Sequence, residues 1–188
     1  KLILVEGDIV APSNLNRQVM AQFDTIGQPK TAVMKARIHT YRSDIQITCH
    51  QRFYDKEANA QIFSEPVDFV VDAIDTLSAK RDCIAYCLAH QIPFISSMGM
   101  DPTKIEIMDL MKTSYDPLAK VMRQMIRKAD IRGKIPVVCS TEQPIIQHQI
   151  INAEGKTRKE KMPPASSSFV PAAAGLACAS YAVRQLLK

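Results

Sequence analysis

Lys1-Leu2-Ile3-Leu4-Val5-Glu6-Gly7-Asp8 opens the chain. Leu2 to Val5 is an apolar run of strand length, too short for a signal-peptide core, and it ends at an acid. Outward from it, Pro29 at a first helical position predicts a helix to about Tyr41, with Met34, Ile38 and Tyr41 on one packed face. A strand at Ile45 to Cys49, a helix around Lys56 to Phe63 and a buried strand at Val67 to Val71 follow. Then come a helix at Ser78 to His90 and strands at Ile92 to Ile95 and Lys104 to Met108. This alternation predicts an α/β fold, a largely parallel sheet with helices on both faces. The second half is more irregular: a helix from Pro117 to Lys128, a Pro-, Ser- and Lys-rich loop at Gly155 to Ser168, and an Ala-rich helix from Ala172 to Leu187.

A strand with no helix before it, ending in an acid that can accept hydrogen bonds from ribose hydroxyls, resembles the second strand of a dinucleotide-type fold. The six glycines contain no G-x-G-x-x-G. The expectation is therefore a Rossmann-like sheet whose first β-α unit lies upstream of Lys1. A single domain is expected over 1–188, with its nucleotide-binding part in 1–100 and a substrate and dimerisation part in 101–188.

Composition sets looser bounds. A chain of 188 residues with 46% apolar and 23% charged residues suits one globular domain. The formal charge of +5 favours an anionic partner such as nucleotide or RNA. Five cysteines without framework spacing, Cys49, Cys83, Cys87, Cys139 and Cys178, point to reduced thiols and a cytoplasmic setting. Cys83 and Cys87, four apart on a helix, lack a second Cys or His pair at zinc spacing and read as core. Membrane association is not indicated; the Ala-rich tail comes nearest but contains Ser180, Arg184 and Gln185.

In a parallel sheet, ligands bind at the carboxyl ends of the strands. Glu6 stands at the ribose position, and Asp8 is suited to organising the loop or reaching the nucleotide. Arg17 offers a planar fork for phosphate oxygens, and Lys30 falls in a first helical turn, where dipole and free N–H groups favour anions. Asp75 follows the buried strand and suits Mg²⁺ bound through one carboxylate and substrate oxygens. Each also has a plain reading: Arg17 and Lys30 as solvated charge, Asp75 as a helix cap, Asn14 and Asn16 as turn formers.

Together, Ser13-Asn14-Leu15-Asn16-Arg17-Gln18, Gly27, Lys30 and Asp72-Ala73-Ile74-Asp75 are similar to the signature of the ThiF/MoeB and ubiquitin-activating superfamily of adenylating enzymes. The resemblance implies ATP and Mg²⁺ as cofactors. It places Glu6, Asp8, Asn14, Arg17, Gln18, Lys30 and Asp75 around the nucleotide, with Arg17, Lys30 and Asp75 catalytic and Asp75 near the metal. Glu6 stands where the family usually has Asp.

Asp101-Pro102-Thr103-Lys104-Ile105, Thr113 to Lys120, Val138-Cys139-Ser140-Thr141-Glu142 and Pro163 to Ser168 resemble the branch of tRNA threonylcarbamoyladenosine dehydratases. That branch implies adenylation of a carboxylate on modified tRNA, closure to a cyclic hydantoin, a homodimer, and sulfur-relay proteins as further partners; DNA is not implied. Relatives carry a longer connection where Met100 meets Asp101. The alternative activity is adenylation of a ubiquitin-like sulfur carrier, for which Cys139 would be the candidate thiol, although a small apolar residue ending a strand describes it better. For tRNA, two basic clusters stand out: Lys120, Arg123, Arg127, Lys128, Arg132 and Lys134, then Lys156, Arg158, Lys159 and Lys161. Tyr115 is a candidate stacking residue.

Overall fold

The structure is a computed structural model and describes residues 1–99, 104–142 and 168–188. Its named strands are β1 (Leu2–Val5), β2 (Ile47–His50), β3 (Val70–Asp72), β4 (Phe94–Ser97), β5 (Glu106–Asp109) and β6 (Pro136–Cys139). The α-helices are α1 (Lys30–His39), α2 (Asn59–Ile62), α3 (Leu77–Ala89), α4 (Pro117–Lys128) and α5 (Phe169–Leu186). The strands form a parallel pair, β1-β2, and a four-stranded sheet in the order β3-β4-β6-β5. Within the larger sheet β3, β4 and β6 run parallel while β5 runs antiparallel to β6, with Glu106 opposite Cys139.

Period-two alternation explains how helices cover both faces of the larger sheet. Phe94, Val137 and Cys139 join a core with Ile84 and Cys87 of α3 and Met122 and Ile126 of α4. Their neighbours Ile95 and Val138 point the other way, onto Ala174 and Cys178 of α5. The small residues of α5 let it lie close to β3, β4 and β6, while its outer side leaves Phe169, Leu176 and Leu187 exposed. Among the described residues no helix is long and apolar enough to cross a membrane.

The expected α/β architecture is present, with local shifts. Pro29 is the N-cap of α1 and not its first helical residue. The packed side of α1 is Lys30, Thr31 and Val33, and Tyr41 lies beyond the helix end, exposed. Lys56 to Phe63 resolves into a 3-10 turn at Lys56–Ala58, capped by Asp55, and the single turn α2. The strand expected at Val67 to Val71 runs later, at Val70–Asp72, so Asp72 lies inside the sheet. Of the loop predicted at Gly155 to Ser168, residues 155–167 lie outside the described residues, Lys156, Arg158, Lys159 and Lys161 among them.

Ile95 is fully buried between β4 and α5. Truncation of Ile95 to Ala is expected to destabilise the protein by about 2–5 kcal/mol, read as a lower urea midpoint at unchanged slope.

Candidate nucleotide site

Beyond the carboxyl end of β1 the chain makes a tight corner. The Asp8 N–H donates to Glu6 Oε1 at 2.9 Å, and Gln51 Nε2, just past β2, donates to the Gly7 carbonyl at 3.0 Å. A Cβ on Gly7 would lie 2.8 Å from the backbone nitrogen of Phe53, so only glycine fits there.

From Ala11 to Ile26 the chain makes an excursion clamped at its base. Val10 N–H donates to the Gln28 carbonyl at 2.9 Å, and Gly27 N–H donates to the Val10 carbonyl at 2.8 Å. Gly27 takes φ of +85°, which explains glycine at the return. The clamp delivers Lys30 to the first turn of α1, its N–H bonded to the Asp8 carbonyl at 3.1 Å.

The Lys30 ammonium bends back to the strand end. Its Nζ lies 3.0 Å from Asp8 Oδ2 and 3.4 Å from Glu6 Oε2, and its side chain is only 9% exposed against 37% for Glu6 and 54% for Asp8. The solvated-charge reading of Lys30 therefore does not hold. Two carboxylates and one ammonium leave this corner with a net negative charge, and the carboxylates hold the outer positions.

Asn14, Arg17 and Gln18 form a second group inside the excursion. Asn14 Oδ1 accepts from the Ala11 N–H at 2.9 Å, so this residue does act as a turn former. Arg17 Nη1 donates to the Ser13 carbonyl at 2.7 Å and to Asn16 Oδ1 at 2.9 Å, which fixes the direction of the guanidinium. Gln18 Oε1 is buried with no hydrogen-bond partner among the described residues.

Asp75 lies just beyond β3, exposed, and accepts from Thr76 Oγ1 at 3.4 Å. It is not the cap of α3: Thr76 holds that position, and no side chain caps the helix. Among the described residues no group of three or more His, Cys, Asp or Glu side chains could hold a metal by itself. A single carboxylate with substrate oxygens is the arrangement that suits Mg²⁺.

Beneath the Asp75 turn lies a network that the motif reading missed. Lys80 and Asp72 are paired at 3.0 Å with both side chains fully buried. Lys80 Nζ also donates to the Ser97 carbonyl at 2.9 Å and to Ser96 Oγ at 3.3 Å, while Ser96 Oγ donates to Asp72 Oδ2 at 2.5 Å. Removing one member of such a pair typically costs roughly 3–5 kcal/mol, because the other is left as an unpaired buried charge. A signal was available: Lys80 stands three, four and seven residues before Cys83, Ile84 and Cys87, on the buried stripe of α3.

At the far edge of the sheet, Thr141 Oγ1 donates to Glu106 Oε1 at 3.1 Å and Lys104 Nζ lies 2.7 Å from the same oxygen. These contacts hold the Glu106 carboxyl below its ordinary pKa. Cys139 is fully buried, and its thiol is pushed up to about 11 by burial, with Asp116 and Glu106 adding to the shift. Arg123 of α4 is half-buried and donates to the Thr113 carbonyl at 2.9 Å, so α4 presents only Lys120, Arg127 and Lys128 as exposed cations.

The model of the ThiF family matches residues 1–188. The chain belongs to the ThiF family. Within this family it is 41% identical over 197 aligned positions to the tRNA threonylcarbamoyladenosine dehydratase of Bacillus subtilis, covering all of this chain and 78% of that protein. The Escherichia coli dehydratase is 35% identical over 152 positions, covering 75% of this chain and 57% of that protein. The crystal structure of the Escherichia coli tRNA N6-threonylcarbamoyladenosine dehydratase in complex with ATP superposes with a TM-score of 0.82 at 30% identity, over 98% of this chain and 74% of that one.

A thiol near pKa 11 is about one part in ten thousand thiolate at pH 7. Iodoacetamide is therefore expected to alkylate half-buried Cys49 first in the native protein and to leave Cys139 unmodified below about pH 9. Peptide mass mapping across a pH series reads the order, and early labelling of Cys139 would contradict its burial.

Proposed function

We propose that this ThiF-family protein catalyses the ATP-dependent dehydration of threonylcarbamoyladenosine in tRNA. The observation that carries this reading is the full-chain match, at 41% identity, to a protein named for that reaction. ATP is consumed as a substrate. The threonyl carboxylate attacks the α-phosphorus, pyrophosphate leaves, and an acyl adenylate forms. The carbamoyl nitrogen then attacks the activated carbonyl and loses its proton as AMP departs with the former carboxylate oxygen. The product is the cyclic hydantoin, one water lighter. Because nucleophile and electrophile belong to one substituent, ring closure has a high effective concentration and needs no enzyme thiol.

The chain's own groups divide the work. Glu6 accepts from ribose hydroxyls, with Asp8 beside it organising the turn. Lys30, already desolvated at the mouth of β1, and Arg17, aimed by Ser13 and Asn16, stabilise charge on the phosphates. Asn14 and Gln18 shape the excursion that carries Arg17. Asp75 would hold Mg²⁺, which would screen charge on the triphosphate. Residues 1–100 supply this nucleotide part, and residues 101–188 supply the surfaces for tRNA and for a second copy of the chain, where the exposed apolar side of α5 lies. Buried or half-buried free thiols and a tRNA substrate fit a cytoplasmic setting. Sulfur-relay proteins remain partners proposed from the family alone.

The whole protein, incubated with ATP and tRNA bearing threonylcarbamoyladenosine, is expected to convert that nucleoside to a form lighter by one water. Nucleoside mass spectrometry reads the change, and its absence would sink the reading. Arg17→Ala should lower kcat about 10²-fold. If pyrophosphate exchange instead requires a small protein with a Gly-Gly tail, the sulfur-carrier activity is the correct one.

For docking, the exposed face of α4 is expected to contact tRNA phosphates. Replacing Lys120, Arg127 and Lys128 together by Gln should weaken tRNA binding and reduce the slope of log K against log salt by about two to three. An unchanged slope would move the interface elsewhere.

A further inference from the structure

Lys80 is the largest charged group sealed within the described structure, and its surroundings are specific. An ammonium has three protons, and here they meet the Asp72 carboxylate, Ser96 Oγ and the Ser97 carbonyl. Asp72 is the last residue of β3, and Ser97 the last of β4. The network therefore bridges the ends of two neighbouring strands.

Each end continues directly into a segment of interest. On the β3 side, Asp72 Oδ1 accepts from the Ile74 N–H at 2.9 Å, which sets the turn that presents Asp75. On the β4 side, Met98 N–H donates to the Val138 carbonyl at 2.8 Å, and Gly99 follows. A Cβ on Gly99 would lie 2.7 Å from Asp116 Oδ1, the oxygen that caps α4 through the Ala119 N–H. One ammonium thus joins the Asp75 turn to the path leading to α4.

A core position that only needed filling would be served by Leu or Met, since replacing a buried ion pair by apolar residues of like volume is often neutral or stabilising. What the pair adds is direction. It fixes which way a carboxylate and a carbonyl face, at the carboxyl ends of β4 and of β3, from which the Asp75 turn begins.

We propose that Lys80 is a positioning residue for adenylation, holding the Asp75 turn and the Ser97–Gly99 segment at one fixed spacing. The proposal rests on the adenylating reading of the site, and it concerns geometry that can also be measured without turnover.

The test uses the whole protein carrying Lys80→Met together with Asp72→Asn, which removes both buried charges. The double variant is expected to stay folded but to melt lower than the wild type, since the Ser97 carbonyl loses its donor at a cost of about 1–3 kcal/mol while no buried charge is left unpaired. Its kcat for pyrophosphate exchange with modified tRNA should fall by about tenfold or more, while KM for ATP moves by less than about threefold. A stably folded double variant with kcat within about threefold of the wild type overturns the proposal. Amide hydrogen exchange on the wild type gives an independent readout. Ile74 and Met98 are expected to open with the same free energy and to be slowed together by Mg·ATP; opening constants differing by more than about tenfold overturn it. Should the wild type show no exchange with any tRNA, the adenylating reading fails, and amide exchange still judges the coupling.

Discussion

An ammonium group cannot be placed inside a protein unless acceptors surround it, and Lys80 imposes that demand on the middle of this fold. Meeting it requires the last residue of β3 to be an acid and the end of β4 to turn a carbonyl inward. The approach of α3 follows as well, since Lys80 is one turn into that helix. Apolar packing by Ile84, Cys87, Val137 and Met122 supplies the bulk of the driving force, but packing alone tolerates sliding. The charge network does not, because every displacement leaves a donor or an acceptor unpaired in a dry environment.

The corner at β1 has the opposite character. Its ammonium is also held by carboxylates, yet those carboxylates reach solvent, so the pairing there is not sealed as that of Lys80 is. Lys30 is shared between two carboxylates, the nearer at 3.0 Å and the farther at 3.4 Å. Glu6 and Asp8 thereby fix the direction of the lysine side chain. Arg17 is treated similarly, its fork aimed by a carbonyl and an amide oxygen and not by another charge.

Much of this was legible in the chain itself. Asn14, Arg17, Gly27 and Lys30 lie close in sequence, and local turn chemistry suffices to bring the clamp together. Apolar runs marked most strands and helices within a few residues. The errors have physical reasons. β3 begins three residues late because apolar Val67 and Phe69 do not distinguish a strand from its approach, whereas pairing with Phe94 and Ser96 does. α2 is a fragment because Asp55 captures the Ala58 N–H and starts a tighter turn. Arg123 looked like a surface cation by spacing, and only the fold reveals Thr113 beside it. The Asp72–Lys80 pair spans eight residues and two elements: the buried stripe of α3 marks Lys80, but only the fold identifies Asp72 as its partner.

β5 runs against its one partner in the sheet, β6, so Glu106 stands at a strand's beginning beside Cys139 at another strand's end. The edge of the sheet is consequently built from two kinds of chain segment. Strand ends are committed to the core that precedes them, and the entry to β5 is tied to that core too, because Ile105 packs with Val138 and with Ala174 and Cys178 of α5. A change of residue where the chain enters β5 is therefore felt in the layer between the sheet and α5.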